Sequence, residues 1–240
     1  MVSGWTFFKF SAERKVVAVI CHCMRNIIIY MVIIAFASCM AKSPKEKTED
    51  VPENSKQTTL KLIDSLGTVT FNIPVRYDTS FTWTNRSDCG KPCEHEQYRF
   101  QSKALPVFEE SGFIYEIPDI PIDQFTILHS GYFPFYNGDT SRNTARHEYF
   151  KSRLSAECYG GKVYADTSEV IGDRYFSVVY IDGYDKRKRK YFAKVAALTT
   201  IKNNEIEFHY DIKTADTINI SNFYHNSIRL LRTIRLSNGI

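Results

Sequence analysis

The chain has 240 residues, with 31 basic and 27 acidic groups, a formal charge of +4, and 43% hydrophobic and 14% aromatic residues. The first 38 residues hold Lys9, Arg14, Lys15 and Arg25 against Glu13 alone, so the remainder carries 27 basic and 26 acidic groups, or +1. A near-neutral remainder of about two hundred residues gives no global argument for a nucleic-acid partner and is long enough to bury one sizeable core, or at most two small ones.

The first informative stretch is MRNIIIYMVIIAFASCMAKS, residues 24–43. Its apolar run, Ile27 to Ala37, is about half the ~20 residues a membrane-crossing helix needs. Counted from Met24, it supplies instead the parts of an export signal: one Arg, an apolar stretch, and small residues before a cysteine. The terminal FASC, residues 36–39, resembles the lipobox of bacterial lipoproteins, with Phe36 standing where Leu is usual. That resemblance implies cleavage before Cys39, lipidation of Cys39, and a membrane partner reached through that anchor. Residues 1–38 are then a signal region, with residues 1–23 an extension ahead of a true start at Met24. The alternative is a single-pass membrane protein that uses residues 16–37 as its span, at the cost of placing Arg25 and Asn26 near the middle.

Residues 39–57, rich in Lys, Glu, Pro and Ser, lack the apolar surface to offset their ordering entropy and are expected to form a flexible tether. From residue 58 to 240 a single α+β domain is expected. TLKLIDSLGTVTFNIPV reads as two extended runs broken at Ser65-Leu66-Gly67, and SFTWTN and HEQYRFQS alternate in period two. Between them, SDCGKPC places Cys89 and Cys93 in a Gly-Pro turn, a spacing that permits a disulfide in an oxidising compartment, with free thiols as the alternative. Pro118 and Pro121 force an irregular connection before an extended Gln124 to His129.

GYFPFYNG follows, with Tyr132, Phe133, Phe135 and Tyr136 in a loop bounded by glycines. Exposed, these rings would form a partner site for another envelope protein; tucked under, they would be a lid on the core. SRNTARHEYFKSRLSAE lacks Gly and Pro and is expected to be helical. RYFSVVYIDG and KYFAKVAALTT read as buried strands, joined by a basic hairpin tip, DKRKRK. EIEFHYDIK alternates strictly, and Ile220, Phe223, Tyr224, Ile228, Leu231 and Ile234 fall on one helical stripe. Over residues 172–236 this order of strand, strand, strand and helix resembles the Mog1/PsbP-like fold. It implies an antiparallel sheet with packed helices, closed by a C-terminal amphipathic helix.

Candidate chemistry is sparse. His147-Glu148 begins a zinc-protease pattern, but Lys151 stands where the second His is required. Glu207, His209 and Asp211 share one face of a strand at ~6.8 Å repeats and could offer ligands to a metal, while Ile206, Phe208, Tyr210 and Ile212 on the other face are those of an ordinary half-buried strand. No nucleotide, cofactor or nucleophile fingerprint occurs, and Cys158 has no recognisable base beside it. The pattern fits a lipid-anchored cell-envelope protein, its domain outside the cytoplasm, with a non-enzymatic binding or assembly role. The competing reading is an envelope hydrolase or metal-dependent enzyme.

Overall fold

The computed structural model describes residues 54–63, 66–88, 90, 94–107, 119–130, 144–158, 160–202 and 204–237. Among them are two antiparallel sheets. The smaller orders β1 (Ser55–Lys61), β2 (Thr68–Pro74) and β10 (Arg235–Ser237) as β1-β2-β10. Strand β1 takes in Ser55, Lys56 and Gln57 at the end of the polar segment, because they pair with Pro74, Ile73 and Asn72.

The larger sheet has seven strands: β3 (Thr79–Asn85), β4 (His95–Gln101), β5 (Ile122–Ser130), β6 (Gly161–Ile171), β7 (Arg174–Asp185), β8 (Lys190–Ile201) and β9 (Asn204–Thr214). Their order is β3-β4-β5-β9-β8-β7-β6, so the chain leaves β5, crosses to the far edge at β6, and builds back inward through β7 and β8 until β9 pairs beside β5. Helix α1 (Thr144–Glu157) lies between β5 and β6, while α2 (Ile218–Ser221) and α3 (Phe223–Leu231) follow β9. The described residues are mainly β, with few helices. No helix among them is long and apolar enough to cross a membrane.

Period-two alternation sorts the side chains of the large sheet onto two faces. The inner face carries Tyr98, Phe100, Phe125, Ile127, Phe176, Val178, Val195, Phe208 and Tyr210, which form one core with Val69, Phe71 and Ile73 of β2. Phe71 meets Phe100 edge-on at 5.4 Å, and Phe125 stacks on Tyr210 at 4.3 Å. Burial of each such ring contributes roughly 1.5–3 kcal/mol before entropy is counted. Helix α3 presents Phe223, Ile228 and Leu231, at helical spacing, to the same core.

The expected helical stripe ends sooner than its pattern suggested. The helix stops at Leu231, Ile234 lies beyond it though fully buried, and Arg235–Ser237 pair with β2. Thr233 explains the stop: its hydroxyl donates to the Leu230 carbonyl at 2.6 Å and accepts from the Asn72 backbone N–H at 2.8 Å, turning the chain onto the small sheet. Strand β6 is an edge strand with Tyr164 and Val170 exposed.

The outer face of the large sheet is half covered. Phe150 and Leu154 of α1 pack on Val179, Ile181, Ala196 and Leu198 of β7 and β8, forming a second, smaller core. A cleft of about 260 Å³ lies alongside, floored by β4, β5 and β9 and walled by Arg153 and Glu157 of α1.

Candidate functional site

Register builds the cleft floor from rows that cross the sheet. One row runs Gln101, Gln124, Asp211, Lys194; the next runs Arg99, Thr126, His209, Ala196; the third runs Gln97, Leu128, Glu207, Leu198. On β4, Gln97 and Arg99 alternate with core-facing Tyr98 and Phe100, and all four are buried. A strand buried on both faces, polar on one, is the local reason that a polar floor exists in the interior.

The charged groups around this floor answer one another. Arg153 Nη2 lies 2.6 Å from Glu207 Oε2, and His209 Nε2 lies 2.9 Å from the same oxygen. Lys194 Nζ sits 3.5 Å from His209 Nδ1, 3.4 Å from Asp211 and 3.8 Å from Glu157. Arg146 pairs with Glu205 at 2.6 Å. Burial pushes the Glu207 carboxyl up, but the hydrogen bond from His209 and the Arg153 charge beside it overcome that and hold it down to about 2. It is therefore a fixed hydrogen-bond acceptor at neutral pH.

Three uncharged side chains behave differently. Thr126 is 4% exposed and its hydroxyl is buried without a hydrogen-bond partner. Gln97, 3% exposed, and Gln124 line the same cleft, and neither side-chain amide makes a hydrogen bond among the described residues. Buried polar groups are normally paired, because an unmade bond costs about 1–3 kcal/mol. On this floor the Thr126 hydroxyl is such an unpaired group, while the Gln97 and Gln124 amides line the open cleft, where solvent or a ligand can bond them.

Of the sequence-predicted residues, Glu207, His209 and Asp211 come together in this cleft, where Arg153 and Lys194 engage their polar atoms. Among the described residues, the set of three metal-capable side chains with donor atoms within 4.8 Å of one another is instead His147, Glu148 and Asp166. There, His147 bonds Asp166 directly, and the Lys151 ammonium lies 2.7 Å from both carboxylates, in the place a cation would take. Cys158 is a free thiol that burial pushes up to about 11, so it is protonated at neutral pH and a poor nucleophile. Cys39, Cys89, Cys93, Tyr132, Phe133, Phe135 and Tyr136 lie outside the described residues.

Sequence reasoning missed Gln97, Gln124, Thr126, Arg153 and Lys194. The legible signal was the β4 pattern, in which Gln97, Arg99 and Gln101 alternate with Tyr98 and Phe100. It reads equally as an ordinary solvated face until the sheet order is known.

No protein family and no curated protein sequence matches this chain. Among solved structures, it is similar to the cyanobacterial PsbP of Synechocystis sp., at 10% identity over 81% of this chain and 100% of that one, with a TM-score of 0.44. It is also similar to LpqN of Mycobacterium tuberculosis, a protein involved in cell envelope biogenesis, at 8% identity over 76% of this chain and 91% of that one, TM-score 0.35. The T6SS immunity protein TplEi of Pseudomonas aeruginosa, solved with a peptide, is 11% identical over 61% of this chain and 50% of that one, TM-score 0.35. At these scores the likenesses are of general architecture and carry no function to this chain.

Proposed function

We propose that this chain is a lipid-anchored cell-envelope protein whose domain is a non-enzymatic binding module, with its ligand site on the cleft floor of β4, β5 and β9. The observation that carries the binding role is the buried, unpartnered Thr126 hydroxyl on a cleft floor that Gln97 and Gln124 also line. Around them, Arg153, Lys194, Glu207 and Asp211 neutralise one another. A fully charged ligand would have to break those pairs, whereas a ligand rich in hydroxyl or amide groups would add bonds without breaking any. An uncharged saccharide or a peptide backbone has that chemistry.

The anchor is supported by FASC at residues 36–39 and by the polar segment after it, and the states of Glu207 and Cys158 disfavour them as a general acid and a thiolate nucleophile. A carboxyl held down to about 2 donates no proton at neutral pH, and a thiol pushed up to about 11 is not the attacking thiolate. The reading is tested with full-length protein in saturation-transfer NMR against neutral oligosaccharides and short uncharged peptides. Gln97→Leu and Thr126→Val should abolish any transfer seen with native protein while leaving the fold intact. Stoichiometric zinc in the purified protein, or turnover of any of these compounds, would overturn it in favour of the enzyme.

A further inference from the structure

The hairpin that joins β7 to β8 concentrates positive charge away from the cleft. Lys186, Arg187, Lys188, Arg189 and Lys190 follow one another across its tip. Asp185, the acid that opens the run, is committed to the turn, where its carboxylate accepts from the backbone N–H groups of Arg187 and Lys188 at 2.9 and 3.1 Å. Asp119 is committed to Lys190, which reaches its carboxylate at 2.8 Å and its carbonyl at 3.1 Å. Arg189 adopts a left-handed backbone, with φ of 52°, at a tip position where glycine or asparagine would sit with less strain.

Lys213 of β9 joins this group from below. Its cross-strand neighbours are Phe192 on β8 and Ile122 on β5, so its stem runs between two apolar side chains. Lys190 lies two residues before Phe192, on the same face and diagonal to Lys213. Lys213 is only 9% exposed, and its ammonium makes no hydrogen bond or ion pair among the described residues. Burial, then the charge of Lys188, hold its amine below the ordinary lysine value, against the pull of Asp185 and Asp119. Its stem is covered while its ammonium reaches the surface beside Lys188 and Lys190, and an anion bound there would relieve that crowding of like charge.

We infer that the β7–β8 tip and Lys213 together form a binding site for a phosphate group. Lys188 and Lys190 lie near enough to act on Lys213, and the carboxylates of Asp185 and Asp119 are already engaged, which favours a compact, multiply charged anion. A phosphate lodged between Lys213 and the tip would accept charge-assisted bonds from ammonium groups on two different strands. The site shares no residue with the proposed ligand cleft and stands whether or not that cleft binds.

The test is a ³¹P NMR titration of full-length protein with inorganic phosphate, at ionic strength matched with chloride. Native protein should show saturable binding, and Lys213→Met should weaken it by roughly tenfold or more, the loss of one charge-assisted bond. Gln97→Leu should bind phosphate as native does. Lys213→Met should unfold in chloride at no lower denaturant than native protein; if it does not fold, Lys213→Gln serves in its place. Vesicles of phosphatidylcholine with and without phosphatidic acid separate the sources. A gain from phosphatidic acid that Lys213→Met loses identifies a lipid headgroup, and a response to inorganic phosphate alone identifies the free anion. Phosphate binding that fails to saturate, or that is equal in native and Lys213→Met protein, would overturn the inference.

Discussion

The Arg153 guanidinium on helix α1 and the Glu207 carboxylate on strand β9 meet at 2.6 Å across the mouth of the cleft. This pair binds the helix, which covers only half of the outer sheet face, to the half it leaves open. Glu207 also takes the His209 bond, so one carboxylate holds both the wall and the floor in place.

That position has a pH signature. Glu207 has an ordinary value of 4.5 and is held down to about 2 in the fold. A carboxyl depressed by folding contributes stability that is complete above 4.5 and is lost as pH falls through about 2. The contribution is about 3 kcal/mol at most. Urea unfolding midpoints of native protein should therefore fall over this window more steeply than those of Glu207→Gln. At neutral pH the variant should be less stable by roughly 1–3 kcal/mol, because Arg153 and His209 then face an amide. Parallel pH profiles for the two proteins would show that the pair does not couple to folding.

Gly183 and Gly161 face each other in the β6–β7 ladder. A Cβ at Gly183 would lie 2.6 Å from the Phe192 ring, and one at Gly161 would lie 2.9 Å from the Cys158 carbonyl. Either contact is too close to persist, so Gly183→Ala should destabilise by about 1–3 kcal/mol through overpacking. Gly183→Ala with Phe192→Leu should recover part of that loss in thermal unfolding. No recovery would mean that the ring is not the obstacle.

Cys39→Ala should release the protein from membranes into the soluble fraction, and labelled palmitate should enter native protein but not the variant. Labelling that is absent from native protein would leave the single-span alternative, in which residues 16–37 cross the bilayer. Mass spectrometry of the purified protein should find no peptide from residues 1–23 if Met24 is the start.

The aromatic segment GYFPFYNG, with Tyr132, Phe133, Phe135 and Tyr136, remains a proposed partner contact. Phe133→Ala combined with Phe135→Ala should leave thermal stability unchanged and remove association with any envelope protein recovered by crosslinking. A loss of several kcal/mol would place these rings in the core instead.

Much of the local structure was written in hydrophobic period. The alternation of Ile206, Phe208, Tyr210 and Ile212 with Glu205, Glu207, His209 and Asp211 specified a two-faced strand, and β9 is one. RYFSVVYIDG and KYFAKVAALTT, apolar on both faces, are the strands covered on both sides, by the main core and by α1. The helix over 144–157 was legible from its lack of Gly and Pro rather than from period. Strand β6 was not, because an edge strand with one buried face needs little apolar sequence, and β10 was hidden inside a helical period that Thr233 interrupts.

The site belongs to tertiary structure. Gln97, Thr126 and His209 become neighbours only because β9 returns to pair with β5 after three intervening strands, a register set by contacts some eighty residues apart in the chain. Whether Gln97 faces water or a cleft depends on where α1 lands, which Phe150 and Leu154 decide by packing on Val179 and Ala196. Sequence by itself determined which residues alternate and which cannot be buried alone. The order of the strands and the half-face that the helix leaves bare, both products of long-range packing, decided which of those polar residues became a site.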